Sequence, residues 1–235
     1  MITVPERFKC RSSSLGKLMK SPQSKADKEA GVLSESAKGV VKEYVRDAFG
    51  LLKPEIGSKP IRKGNLCELD AIEFLGSYDF CKYERYAGPR LFNDYLTGTP
   101  DILFEKSVKD IKCPWSWDTF PMFADDLPKK VKDAGYDWQC VAYMDLAAKP
   151  DAEVCFVMMP CPEALVYGDE AAALVDSVVN APDWMRINRY QLDYEQSKVD
   201  EAYERVEQAQ PYYKELIAEC ADRAKVKFRF EGVAA

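Results

Sequence analysis

Residues 98–112 constrain this chain more than any other stretch. Two short apolar runs, Ile102-Leu103-Phe104 and the segment from Val108 to Ile111, flank Glu105-Lys106 as strands flank a tight turn. Centring the hairpin between Glu105 and Lys106 sets Asp101 opposite Asp110 and Thr99 opposite Lys112. Residues directly across an antiparallel pair share a face, and alternation puts Asp110 and Lys112 on that same face with Ile111 on the other. Two carboxylates and an ammonium therefore crowd one patch. Like charges directly opposite destabilise a sheet, and two ionised carboxylates at one site push a pKa up unless a cation lies between them. The patch is either an ordinary solvated face or a place for a divalent ion. Its oxygen donors suit magnesium or manganese.

The flanking segments read as alternating helices and strands. Residues 5–20 begin basic and continue as a short helix capped by a serine, an arrangement that also suits an anion, and residues 21–33 form a polar loop. A helix is predicted over 34–48, with Val40, Val41, Tyr44, Val45 and Phe49 inward, before Gly50, Pro54, Gly57 and Pro60 break the pattern. The next helix, 61–75, aligns Asn65, Glu68, Ile72 and Leu75 on one stripe. Glu68 can snorkel at the edge of that stripe or reach the hairpin face, and Glu73 is the reserve candidate. A strand follows over 78–87.

After the hairpin, residues 114–121 form an aromatic, proline-bounded loop whose tryptophans either pack as a lid or stack on bases. A helix over 136–147 carries Gln139, Tyr143 and Leu146 on one face. Residues 153–160 read as a buried strand, 162–179 as helix and 184–194 as an edge strand. Residues 195–225 form an amphipathic helix that Pro211 should kink or split.

Composition narrows the chemistry. The 235 residues include no histidine, which removes histidine bases and imidazole metal sites, so catalysis must run on carboxylates, Lys, Tyr or metal-bound water. The eight cysteines form no C-x-x-C pair, and Cys67, Cys140 and Cys155 sit in apolar patterns as small hydrophobes. No run of eighteen apolar residues suggests a membrane span, and the N-terminus has no signal-peptide core, so an intracellular, cytoplasmic protein is expected. The net charge of −6 is uneven: residues 1–65 hold 14 Lys and Arg against 7 Asp and Glu, leaving 19 against 32 elsewhere. Such a basic region suits a polyanion.

Three groups of residues then fall in a telling order: Gly64-Asn65-x-x-Glu68 on a helix, Gly98-Thr99-Pro100-Asp101 with Asp110-Ile111-Lys112 on the hairpin, and Gln139-x-x-x-Tyr143-Met144 on the following helix. This order resembles the PD-(D/E)xK nucleases and, more narrowly, the phage lambda exonuclease and YqaJ-type viral recombinase family, over roughly residues 5–215. The resemblance implies an α/β fold with a mixed central sheet flanked by helices, a restriction-endonuclease-like core and a C-terminal amphipathic helix. It implies one nuclease domain, helical and basic over about 1–76, with the sheet core over 77–194 and the terminal helix over 195–227.

It further implies that Asp101, Asp110 and the main-chain carbonyl of Ile111 bind catalytic magnesium, for which manganese can substitute, with Glu68 completing or bridging a second position. Lys112 would polarise the attacking water, and Gln139 would place Lys112 or that water. Arg7, Arg11, Ser14 and Thr99 are the candidates for a 5′-phosphate site. The implied activity is 5′→3′ digestion of linear double-stranded DNA from its ends, by a homotrimer acting with a single-strand annealing protein in phage recombination in the bacterial host. Two alternatives share these residues: an endonuclease of the same fold, and a non-catalytic DNA-binding recombination accessory.

Overall fold

The acidic hairpin forms in the register its residues predict. Ile102 pairs with Lys109, Leu103 with Val108 and Phe104 with Ser107, which sets Asp101 and Asp110 opposite each other at the end of the ladder. Glu105 turns the chain with a positive φ of 23°, the hand that two-residue hairpin loops favour. The computed structural model describes residues 3–51, 57–224 and 229–230.

In chain order the described strands and helices are β1 (Thr3–Val4), β2 (Cys10–Arg11), α1 (Ser12–Leu18), α2 (Lys25–Glu29), α3 (Glu35–Ala48) and α4 (Lys59–Tyr78). They continue with β3 (Leu91–Phe92), β4 (Leu96–Gly98), β5 (Ile102–Phe104), β6 (Ser107–Lys112), α5 (Asp126–Ala134), α6 (Tyr136–Ala147) and β7 (Asp151–Val157). The last are α7 (Ser177–Val179), β8 (Ile187–Asp193), α8 (Gln196–Ala224) and β9 (Arg229–Phe230). The result is the expected mixed α/β architecture. The main sheet has the order β5-β6-β7-β8, with β6 and β7 parallel and the outer pairs antiparallel. Helices α5 and α6 make the crossover that a parallel pair requires.

Strand β6 is covered on both sides. Val108 joins a core with Cys140, Val141 and Met144 of α6. Ile111 joins Cys67, Ala71, Ile72 and Leu75 of α4. Beside this sheet, β2-β4-β3 forms a smaller mixed sheet, and Val4, Phe8, Leu15 and Val41 pack with Tyr213 and Ile217 of α8. Residues that precede α4 thus share one core with α8.

Several expectations need correction. Residues 78–87 are not a strand: α4 runs on to Tyr78, Phe80 turns with φ 52°, and only Arg85 bridges to Ile102. Asp79 draws the segment across the molecule instead, accepting from Tyr83 Oη at 2.9 Å and from Arg189 Nη2 at 2.5 Å. Pro60 begins α4 rather than breaking the chain before it, because a first-turn residue has no helical N–H partner to lose. No serine side chain caps α1: the cap residue is Arg11, and Ser12 Oγ donates to the Thr97 carbonyl at 3.2 Å.

Within 162–179 the helix breaks into 3₁₀ turns at Glu163–Leu165 and Gly168–Glu170, a π-helical turn at Ala172–Asp176, and α7. The edge strand β8 is real but starts at Ile187, after a 3₁₀ turn at Asp183–Arg186. Helix α8 passes through Pro211 without splitting. It is held there by Gln210, whose carboxamide accepts from Phe8 N–H at 3.0 Å and donates to Phe8 O at 2.9 Å. The polar loop contains α2, and the aromatic loop contains a 3₁₀ turn at Trp117–Thr119. Helix α5 and the small sheet were not anticipated. The predictions for Pro54 and for the helix end at residues 225–227 lie outside the described residues.

Candidate active site

Strand β6 and helix α6 build the site between them. Asp110 is almost wholly buried, at 1% exposure. Its Oδ1 accepts from Gln139 Nε2 at 3.0 Å, and its Oδ2 lies 2.6 Å from Lys112 Nζ. Lys112 Nζ also donates to Gln139 Oε1 at 3.5 Å and sits 4.6 Å from the centre of the Tyr136 ring. Tyr136, Gln139 and Tyr143 occupy one face of α6 at i, i+3 and i+7. Gln139 Nε2 reaches Tyr143 Oη at 3.1 Å, and that hydroxyl donates to the Thr99 carbonyl at 3.0 Å. Helix α6 is thereby tied to both arms of the acidic segment.

Gly98 makes this approach feasible. A Cβ there would come within 2.2 Å of Ser12 Oγ and 2.7 Å of the Tyr143 ring. Gly135, at φ 75°, separates α5 from α6 and lets α6 begin with Tyr136 facing Lys112.

Asp101 enters from the other arm, its Oδ2 accepting the Ile111 N–H at 2.7 Å. Burial and then the neighbouring Asp110 push its carboxyl up to about 7, against the opposing pull of Lys112 and the Ile111 N–H. Burial pulls the Lys112 ammonium down, but Asp110 and Asp101 outweigh it and hold the group above its ordinary value. Burial, then Asp110, also raises the Tyr143 phenol.

Among the described residues Asp110 Oδ2 is engaged by Lys112 Nζ alone, at 2.6 Å. Asp101 Oδ1 accepts no hydrogen bond from the described residues, while its Oδ2 takes the Ile111 N–H. Hard oxygens of this kind can hold magnesium or manganese, and magnesium commonly takes one or two carboxylates and completes its shell with water and substrate phosphate. The donor set fits such an ion.

These groups line a groove of about 530 Å³ that also reaches Glu68, Trp115 and Lys130. The remaining candidates are placed as follows. Glu68 borders the groove but pairs with Arg85 Nε at 2.8 Å, and among the described residues no three Asp, Glu or Cys side chains converge as a metal cluster. Glu73 is exposed on another face of α4. Arg7 pairs with Glu207 and lies 5.4 Å over the Tyr95 ring, while Arg11 pairs with Asp47 at 2.8 Å. Ser14 shares a small cleft with Arg11. Thr99 is exposed beside Pro100 and Asp101, its carbonyl held by Tyr143.

Sequence reasoning assigned no site role to Tyr143, although its position four residues after Gln139 marks the same helix face. It also passed over Lys63, which is fully buried and donates to the Pro114 and Trp115 carbonyls. A lysine inside an otherwise apolar helix face carried that signal.

A mixed sheet presenting paired acids and a lysine over a crossover helix is the architecture of a nuclease fold. No family model matches the chain, and no curated protein matches it. A solved phage-related exonuclease from Haemophilus somnus 129PT matches with a TM-score of 0.83 and 37% identity, over 91% of this chain and 97% of that one. The chain belongs to the phage lambda exonuclease and YqaJ-type family. LHK-Exo, an alkaline exonuclease from Laribacter hongkongensis, shares the fold at a TM-score of 0.60 and 13% identity, over 92% of this chain and 93% of that one. One structure of LHK-Exo is a complex with dAMP, and it matches equally well. Among the described residues no helix is long and apolar enough to cross a membrane.

Proposed function

We propose that this protein is a magnesium-dependent 5′→3′ exonuclease of the PD-(D/E)xK type that digests one strand of linear double-stranded DNA. The observation that carries this reading is the facing pair Asp101 and Asp110, with Lys112 Nζ 2.6 Å from Asp110. In this reading Asp101, Asp110 and the Ile111 carbonyl would hold the ion, with Glu68, now paired with Arg85, completing or bridging a second position. When bound there, such an ion would supply charge neutralisation at the phosphate and make water easier to ionise at neutral pH.

The protein's own groups supply position. Lys112 keeps its proton because two acids surround it, so its ammonium is a fixed positive charge for the attacking water or a phosphate oxygen. Gln139 contacts both Lys112 and Asp110 and keeps their spacing. Tyr143 fixes Gln139 to the Thr99 carbonyl. Arg7, Arg11, Ser14 and Thr99 would receive a terminal 5′-phosphate, the two arginines by exchanging their present carboxylate partners for it.

The wider proposal follows the family: a homotrimer in the cytoplasm of a phage-infected bacterium, passing exposed single strand to an annealing protein for recombination. The deciding assay incubates the purified protein and magnesium with 5′-phosphorylated linear, 5′-hydroxyl linear and closed circular duplex. Rapid loss of the first, slower loss of the second and survival of the third is the expected pattern. Cutting of the circle would make the enzyme an endonuclease, and intact linear duplex would remove the nuclease reading.

A further inference from the structure

We propose that Trp115 is a nucleobase-stacking wall of the acidic groove and that the buried Lys63 positions it. The proposal rests on the nuclease reading, which supplies DNA as the ligand but gives no residue to a base. Trp115 lies three positions after Lys112 and lines the same groove as Asp101 and Asp110. It is partly buried, braced against the small core of Cys161, Leu165 and Leu174. Its indole N–H donates no hydrogen bond among the described residues, whereas Trp117 Nε1 is engaged by Ser177 Oγ at 3.0 Å. A large ring fixed from behind, with its polar edge unused, suits a base, since every base offers a π-face.

Lys63 explains why the ring is held there. It is 0% exposed, and no carboxylate neutralises it among the described residues. Its Nζ donates to the main-chain carbonyls of Pro114 at 2.8 Å and Trp115 at 3.0 Å. Burying an ammonium without a counter-ion is costly, and an apolar side chain of similar length would fill the same space. What the charge contributes is a fixed path for the chain from Lys112 to Trp115. Lys59 Nζ lies over the Trp115 ring, 5.7 Å from its centre, and is held there by Glu170 at 3.1 Å. The groove is thus acidic where a phosphate and its ion would sit and aromatic where a base would lie.

The test uses linear duplexes with a short single-stranded end carrying 2-aminopurine, whose fluorescence falls when it stacks. Calcium replaces magnesium, and a gel checks that the DNA stays intact. Bound to the wild type, the probe should be dim. Bound to Trp115→Ala it should be bright, with affinity weakened about tenfold. Trp115→Phe should keep most of the quenching. Lys63→Met should brighten the probe while leaving calorimetric metal binding unchanged, and Lys63→Arg, which keeps donors for both carbonyls, should retain the quenching. Equal probe brightness in wild type and Trp115→Ala, with wild type still digesting linear duplex, overturns the stacking wall and leaves the nuclease reading intact. Full quenching in a folded Lys63→Met overturns the positioning role. A wild type that neither binds nor digests duplex removes the nuclease reading, and this inference with it.

Discussion

Asp101 makes the folded protein sensitive to pH in a way that one substitution should abolish. Without a divalent ion its carboxyl is raised from 3.8 to about 7 in the folded chain, by burial and by Asp110. Between those values the folded state holds a proton that the unfolded state has released, so stability falls as pH rises through the window. The full effect corresponds to about 4 kcal/mol, of which about 3 kcal/mol should be lost between about pH 5 and about pH 8. For a chain of this size that is a fall in Tm on the order of 8 °C. The absence of histidine makes the measurement clean, because the usual titrating group in this range is missing. The assay is thermal or urea unfolding in a chelator across that range, comparing wild type with Asp101→Asn. The wild type should weaken toward alkaline pH while Asp101→Asn stays nearly flat. Magnesium, which favours the ionised acids, should stabilise the wild type more at about pH 8 than at about pH 5. Equal pH slopes for the two proteins would refute the account of Asp101.

Three further outcomes follow from the same geometry. Lys112→Ala leaves Asp110 as a buried charge without its ammonium, so urea unfolding without metal should show a loss of about 3 kcal/mol, and digestion of linear duplex should fall at least about a hundredfold. Tyr143→Phe removes the bond to the Thr99 carbonyl and the acceptor for Gln139. It should cost about 1 kcal/mol in urea and lower turnover severalfold, with KM for DNA little changed. Gly98→Ala forces a Cβ against Ser12 Oγ and the Tyr143 ring, and calorimetry should show a destabilisation of about 2 kcal/mol.

The hairpin register was legible because an apolar run on each side of a two-residue turn leaves little choice of pairing, and the opposed acids follow from it. Helix α6 was equally plain, since Gln139 and Tyr143 repeat at helical spacing within an apolar segment, and its ends match the reading. The segment after α4 misled because Tyr83 alternates like a strand residue, whereas it packs edge-on against Phe104 and is tied to Asp79. Pro211 misled because a local cost was weighed without the tertiary clasp of Gln210 on Phe8. The pairing of Arg7 with Glu207 spans 200 positions. Pairing at that separation leaves no periodic trace, so the arginines read as free. Helix α5 was hidden by its length and by charges that mask its two inward residues, Leu127 and Val131.

The core that α1 and α3 share with α8 bears on how the protein comes into being. Phe8, Leu15 and Val41 leave the ribosome well before Tyr213 and Ile217, which cover them. Until then the first helices have no partner for their apolar faces, and α6 lacks the support of α8. A chain that stops short of α8 should therefore stay unassembled.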